Sequence, residues 1–131
     1  MYKKFIKNRK NSVTLKHWKT DEDITCCGSF EYFIVKKLND LKINYEFQIK
    51  FNLPNFENVY YCDFYFPDDD MYVEVKGYFY NKNKKKQWEL FHKLYPNSEI
   101  WYYKKVEEFT GMKKYKMTNE FREIKKLHNR T

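Results

Sequence analysis

Glycine, proline and cysteine each occur only three times in the 131 residues. So few glycines and prolines argue against a disordered or loop-dominated chain. The cysteines are odd in number, Cys26 and Cys27 are adjacent, and no C-x-x-C pair occurs. This spacing argues against a disulfide framework, and adding Cys62 and three scattered histidines does not provide a zinc site. We therefore expect free thiols in a reducing compartment.

Long apolar runs are also missing. No stretch approaches the roughly 18 apolar residues that cross a membrane, and the basic N-terminus lacks the apolar segment of a signal peptide. The sequence therefore predicts a soluble, cytoplasmic protein with no membrane partner. The length is that of one domain, because domains cluster at about 100–150 residues.

Acidic residues are absent from residues 1–20, which carry seven Lys and Arg. Residues 113–131 carry seven Lys and Arg and two acidic residues, so with a total charge of +8 the middle of the chain has a net charge of −4. Basic ends around an acidic centre suit a protein whose flanks hold a polyanion while its centre holds metal ions. The alternative is a basic surface with no partner.

Hydrophobic periodicity predicts a mixed α/β domain. Apolar residues at three- and four-residue spacing predict a first helix that ends near Asp40 or Leu41, with Ser29 as its N-cap. The other predicted elements are strands at 43–53, 59–66, 71–77 and 99–103, helices at 84–95 and 118–127, and a possible short strand at 12–18. The predicted organisation is a basic N-terminal arm at 1–27, a core at 28–109 and a basic C-terminal helix at 110–131.

The sequence Pro-Asp-Asp-Asp at 67–70 is a strong turn signal, so the strands on either side should pair as an antiparallel hairpin. Residues two apart on a strand share a face. Glu74 and Lys76 should therefore project to one side, while Val73 and Val75 enter the core. The hairpin can also bring Asp63 near Glu74.

Two carboxylates on neighbouring strands, with the Val75 carbonyl between Glu74 and Lys76, would form an oxygen-rich site that suits Mg²⁺. Lys76 could hold the attacking hydroxide and offset the charge that develops on the phosphate. Glu31, on the first helix, is a candidate fourth member that would act through a second metal ion or a water. A Glu-x-Lys on a strand is also common as an exposed charge pair. The upstream Asp63, the glycine after the lysine and the basic helix that follows favour the metal site.

Asp63 followed by Glu-Val-Lys-Gly at 74–77 resembles the PD-(D/E)xK nuclease signature. Over about residues 28–109 the chain is most similar to phage-type endonuclease I, a Holliday junction resolvase. The likeness rests on Gly-Ser-Phe-Glu at 28–31, Lys-Ile-Asn-Tyr-Glu at 42–46, Asp-Phe-Tyr-Phe-Pro at 63–67, and Glu-Val-Lys-Gly at 74–77 followed by Lys-Lys-Lys at 84–86 and a helix that ends in Tyr-Pro at 95–96. Cys62 departs from the pattern, because the family usually has proline there.

The resemblance implies a restriction-endonuclease-like core, with a mixed central sheet flanked by helices. It implies Glu31, Asp63 and Glu74 as metal-site acids and Lys76 as the catalytic lysine. It also implies Mg²⁺ or Mn²⁺ as cofactor, a homodimer, and cleavage that leaves a 5′-phosphate. The proline that Cys62 replaces shapes the backbone and donates no ligand, so we expect activity to survive the replacement.

Basic residues outside this centre are candidates for contacts with DNA phosphates. They are Lys82, Lys84, Lys85 and Lys86 after the site, and Lys3, Lys4, Lys7, Arg9 and Lys10 in the arm. A solvated helix start and a mobile arm are the alternatives. The predicted function is a metal-dependent, structure-selective DNA endonuclease that resolves Holliday junctions or other branched DNA. Alternatives are a sequence-specific restriction, homing or transposon-end nuclease, and a non-catalytic DNA-binding module.

Overall fold

The structure, a computed structural model, describes residues 11–76 and 81–129. The elements in chain order are β1 (Val13–Lys16), β2 (Asp23–Cys26), α1 (Ser29–Leu41), β3 (Glu46–Phe51), β4 (Tyr60–Phe66), β5 (Met71–Val75), α2 (Lys82–Leu94), β6 (Ser98–Trp101), α3 (Tyr103–Thr110) and α4 (Lys114–His128). This order confirms the predicted mixed α/β class. By their contacts the described residues divide into two units, one of residues 11–43 with 103–129 and one of residues 44–102.

The first unit combines the β1–β2 hairpin with α1, α3 and α4. The two strands pair antiparallel, and α1 buries an apolar stripe that includes Ile34 and Leu38. The rings of Tyr32 on α1 and Phe121 on α4 lie 5.5 Å apart. Burial of side chains of this size contributes roughly 1.5–3 kcal/mol each, so these residues form the core of this unit.

Helix α1 has the predicted extent but not the predicted N-cap. Gly28 is the N-cap residue, in an extended conformation and without a side-chain hydrogen bond, and Ser29 is the first residue inside the helix. The prediction of Ser29 as the cap was therefore wrong. At the other end Lys42 adopts a left-handed conformation with φ of 56°, and its N–H donates to the carbonyl of Asn39.

The second unit is a four-stranded sheet in the order β3-β4-β5-β6 with helix α2. Strands β3, β4 and β5 are antiparallel neighbours, whereas β6 pairs parallel with β5. The Pro-Asp-Asp-Asp turn joins β4 to β5 and is closed by the N–H of Asp69 donating to the carbonyl of Phe66 at 3.2 Å. The predicted antiparallel hairpin is therefore confirmed.

Aromatic rings pack α2 against one face of this sheet. The ring centroid of Phe91 on α2 lies 4.9 Å from those of Phe51 and Tyr60 and 5.4 Å from that of Tyr72. Edge-to-face and tilted ring pairs of this kind contribute about 0.5–1.5 kcal/mol each beyond the area that they bury. The cluster therefore fixes the positions of the β4 and β5 side chains on this face.

Two elements were not predicted. Strand β2 has only four residues, too few to show a clear two-residue period in the sequence. Helix α3 begins at Tyr103, where the sequence predicted the end of a strand, and the observed strand stops at Trp101. Helix α4 begins at Lys114, four residues before its predicted start.

No helix within 11–76 and 81–129 combines the length and apolarity needed to cross a membrane.

Candidate active site

Asp63 on β4 and Glu74 on β5 are two buried carboxyl groups on neighbouring strands. Only 5% of Asp63 and 2% of Glu74 are exposed, and their side chains are within hydrogen-bonding reach of each other. Two deprotonated carboxylates cannot hydrogen-bond to one another. Their proximity is therefore favourable only with a proton on one of them or with a cation between them.

Burial raises the pKa of Glu74 well above its usual value, and the adjacent Asp63 carboxylate raises it further. The positive charge of Lys76 and the hydrogen bond from Tyr60 act in the opposite direction and lower it. Lys76 directly follows β5, two residues after Glu74, and its positive charge acts on the Glu74 carboxyl group. Asp63, Glu74 and Lys76, predicted as site residues from the sequence, therefore come together.

Asp63 is held through both of its carboxylate oxygens. The side-chain amide of Gln48 donates to Oδ1 at 3.1 Å, and the backbone N–H of Val75 donates to Oδ2 at 2.8 Å. The Val75 N–H thus faces β4. Whether the Val75 carbonyl binds a metal ion, as the sequence suggested, stays a prediction.

Glu74 is held through one oxygen only. The phenol of Tyr60 donates to Oε2 at 2.5 Å, whereas Oε1 is buried and has no hydrogen-bond partner in the part of the chain that the structure describes. A buried carboxylate oxygen without a partner costs about 1–3 kcal/mol or more. Such an atom is a candidate ligand for a cation.

The backbone of β3 is distorted opposite Asp63. Phe47 pairs with Phe64 and Ile49 with Cys62, which leaves Gln48 opposite Asp63. Gln48 has a φ of 59°, a left-handed conformation that is uncommon for residues other than glycine, asparagine and aspartate. Strained backbone of this kind costs about 1–3 kcal/mol and is concentrated at functional sites.

Cys62 lies directly before Asp63, at the position where the predicted resemblance has proline. Its thiol is fully buried and lies 3.5 Å from the carbonyl oxygens of both Phe64 and Val73. These carbonyls belong to the two strands that carry the carboxylates. The thiol thus links β4 and β5 beside the site, where proline would act only by restricting its own backbone.

The oxygen ligands present would fit a hard divalent cation. No cluster of three or more His, Cys, Asp or Glu side chains suited to a metal ion occurs within residues 11–76 and 81–129. A metal ion held by Asp63 and Glu74 would therefore complete its shell with backbone carbonyl, water and substrate phosphate. Mg²⁺ is commonly bound in this way, through one or two carboxylates.

Glu31 belongs to the first unit, on the first turn of α1. Its Oε1 accepts a hydrogen bond from the backbone N–H of Cys27 at 3.2 Å. Its role as a further metal-site acid rests on the family resemblance and stays a prediction.

Helix α2 begins with a run of exposed lysines. Asn81 caps the helix by accepting hydrogen bonds from the N–H groups of Asn83 and Lys84, and the first turn contains no acidic residue. Lys82, Lys84, Lys85 and Lys86 are all exposed. Positive charges at a helix N-terminus oppose the helix dipole, so an anion bound there would be favoured.

The other predicted DNA contacts lie outside the described residues. These are Lys3, Lys4, Lys7, Arg9 and Lys10. Gly77, the last residue of the Glu-Val-Lys-Gly motif, lies outside them as well.

Gln48 and Tyr60 are site residues that sequence reasoning missed. Gln48 falls on the polar side of an alternating strand, where a solvated side chain is the ordinary expectation. Tyr60 is one of many strand tyrosines, and tyrosine has a high preference for strands in general. Neither residue belongs to a recognisable motif. Only the three-dimensional structure shows that Gln48 donates to Asp63 and Tyr60 to Glu74.

No family model, curated protein or solved structure was found to match this chain. The resemblance of residues 28–109 to phage-type endonuclease I therefore stays a prediction from the motif residues.

Proposed function

We propose that this protein is a Mg²⁺-dependent DNA endonuclease with a restriction-endonuclease-like core, and that it resolves four-way junctions or other branched DNA as a homodimer. The observation that carries the proposal is the buried pair of Asp63 and Glu74, with an unpartnered Glu74 oxygen and Lys76 two residues further along. A structural ion pair would place opposite charges together. Here two acidic groups are buried side by side, an arrangement that is favourable only with a proton or a cation between them and that is common at functional sites.

The residues of the site have separate tasks. Asp63 and Glu74 would hold the divalent cation, which supplies positive charge to phosphate oxygens and lowers the pKa of water. Lys76 offsets the negative charge that builds on the phosphate oxygens in the transition state. The exposed lysines at the start of α2 hold neighbouring phosphates of the strand.

The reaction is hydrolysis of a phosphodiester. A water oxygen forms a new bond to phosphorus, and the bond between phosphorus and the 3′ oxygen breaks. The 3′ oxygen takes up a proton, so the products are a 5′-phosphate and a 3′-hydroxyl. No side chain needs to act as a covalent nucleophile, which agrees with a site built from two acids and one cation.

The substrate is tested by a time course with Mg²⁺ on a labelled four-way junction and on a linear duplex of the same sequence. Paired nicks close to the branch, with the duplex left uncut, are the expected result. Equal cutting of both DNAs would support phosphodiester hydrolysis but would indicate a sequence-specific or non-specific nuclease in place of a junction resolvase. Binding without cutting in either Mg²⁺ or Mn²⁺ would indicate that the protein is a DNA-binding module and not an enzyme.

Glu31 is tested separately by Glu31→Gln. Glutamine keeps an oxygen that can accept the hydrogen bond from Cys27, so the helix start is preserved while the charge is lost. A loss of cleavage with unchanged thermal stability is expected if Glu31 belongs to the metal site. An unchanged cleavage rate would remove Glu31 from it.

A further inference from the structure

The two carboxylates of the site are each held by an uncharged side chain that sequence motifs do not include. Tyr60 donates to Glu74 Oε2, and Gln48 donates to Asp63 Oδ1. Neither donor brings a positive charge that would satisfy the carboxylates in place of a metal ion. The donors can therefore orient the acids without neutralising them.

Tyr60 is held beside Glu74 by burial and ring packing. Its side chain is 6% exposed, and its ring is fixed against Phe91 of α2. Its hydroxyl donates to Glu74 Oε2, so the ring packing holds the donor beside this carboxylate.

Gln48 reaches Asp63 through its unusual backbone. In a regular strand a residue directly opposite Asp63 would continue the ladder, but Gln48 adopts a φ of 59°, and its amide donates to the Asp63 carboxylate instead. The fold thus tolerates a conformation that favours glycine. The strained conformation places the Gln48 amide within hydrogen-bonding distance of the Asp63 carboxylate.

We propose that Tyr60 and Gln48 are positioning residues of the metal site: each fixes one carboxylate through a single hydrogen bond, so that Glu74 Oε1 is left to bind the divalent cation. This inference rests on the proposed function, because it assigns the cation to the same pair of acids. Partners that orient metal-binding carboxylates commonly contribute 10–100-fold to metal affinity. Tyr60 and Gln48 therefore act on the affinity for the metal ion, through Glu74 and Asp63.

The first test is Tyr60→Phe, which keeps the ring packing and removes only the hydroxyl. We expect the half-saturating Mg²⁺ concentration for cleavage to rise about tenfold, with the maximal rate recovered at high Mg²⁺. Tyr72→Phe is the matched control, because it removes a hydroxyl from a ring of the same cluster that makes no hydrogen bond to either acid. Equal half-saturating concentrations in Tyr60→Phe and wild type would overturn the role of Tyr60.

The second test is independent of the tyrosine. Gln48→Met keeps the side-chain length without the donor, and Gln48→Gly removes the side chain but suits the positive φ. Both variants should raise the half-saturating Mg²⁺ concentration for cleavage about tenfold. The glycine variant also relieves the backbone strain. If the Mg²⁺ midpoints instead follow the thermal stabilities of the two variants, Gln48 is a structural residue and the proposal is wrong for it.

Direct binding of Mn²⁺ to the full chain without DNA separates this inference from the proposed function. Unbound Mn²⁺ is counted by its paramagnetic resonance signal. Weaker binding in Tyr60→Phe and in Gln48→Met than in wild type supports the positioning role. Equal binding in all three overturns that role while the metal site stands, and no binding by wild type at millimolar Mn²⁺ overturns both.

Discussion

Asp63 and Glu74 hold their carboxyl groups within hydrogen-bonding reach of each other in a nearly solvent-free environment. Each acid is oriented by uncharged donors, which are the Gln48 amide and the Val75 N–H for Asp63 and the Tyr60 phenol for Glu74. Burial and like charge both disfavour the ionised pair. The ionised, metal-free pair therefore lowers the free energy of unfolding, and binding of a proton or a metal ion removes this destabilisation.

Glu74→Gln should stabilise the metal-free protein at neutral pH. Glutamine has nearly the same shape, can still accept the hydrogen bond from Tyr60, and removes a buried negative charge next to Asp63. Burial and the adjacent Asp63 carboxylate both disfavour the ionised Glu74, and each unit by which folding raises its pKa corresponds to about 1.4 kcal/mol. The measurement is the free energy of unfolding by urea in the presence of a chelator.

Glu57→Gln is the matched control, because Glu57 is exposed in the same unit and surface substitutions usually stay within about 0.5 kcal/mol. Addition of Mg²⁺ should stabilise the wild type and the control but not Glu74→Gln. A metal-free Glu74→Gln protein that is less stable than wild type would show that the pair is satisfied without a cation.

The stability of the metal-free protein should fall as pH rises. The folded-state pKa of Glu74 is raised above its usual value of 4.5, so the folded state binds a proton more tightly than the unfolded state. This contribution is fully present below the unfolded pKa and is lost as pH rises through the raised folded pKa. The measurement is the difference in unfolding free energy between wild type and Glu74→Gln, from about pH 4 to pH 8. A difference that does not change with pH would contradict the raised pKa.

Lys76→Met should reduce the cleavage rate and leave DNA binding nearly intact. The ammonium group acts on charge that develops in the transition state, and loss of one such group typically costs about 10²–10³ in rate. Single-turnover cleavage at saturating Mg²⁺ measures the effect, and a gel-shift assay in Ca²⁺ measures binding. Lys76→Arg should recover part of the rate, since it keeps the charge. Turnover of Lys76→Met close to that of wild type would remove the lysine from the mechanism.

The basic residues at 3, 4, 7, 9 and 10 should contribute to the salt dependence of DNA binding. Replacement of all five by glutamine keeps the chain length and leaves β1 intact, whereas a deletion of residues 1–20 would remove that strand. Each phosphate contact contributes about 0.9 to the slope of log affinity against log salt, so the slope should fall by up to about 4–5. An unchanged slope would mean that these residues do not contact the DNA backbone.

Local sequence signals were sufficient for much of the second unit. The Pro-Asp-Asp-Asp turn fixed the β4–β5 hairpin, and the hairpin register brought Asp63 and Glu74 together as expected. Pairing of this kind depends only on turn chemistry and the two-residue period of a strand. The proximity of the two carboxyl groups was therefore predictable from the sequence.

Other features depend on tertiary context that short-range signals do not carry. A left-handed Gln48 contradicts the preference of that residue, and it is tolerated only because the surrounding sheet and Asp63 hold it. The reach of Tyr60 to Glu74 depends on the packing of α2 against the sheet. Helix α3 and the start of α4 were missed because their few apolar residues, such as Val106 and Met117, are buried by contacts within the first unit.

The most direct test of the account is cleavage of a labelled four-way junction by wild type, Asp63→Asn, Glu74→Gln and the control Glu57→Gln, with Mg²⁺ and with a chelator. We predict cleavage by wild type and by the control in Mg²⁺ only. The Asp63 and Glu74 variants should remain folded, bind the junction and leave it uncut. Cleavage by either of these variants at the wild-type rate, or cleavage by wild type in the chelator, would contradict a metal-dependent active site at Asp63 and Glu74.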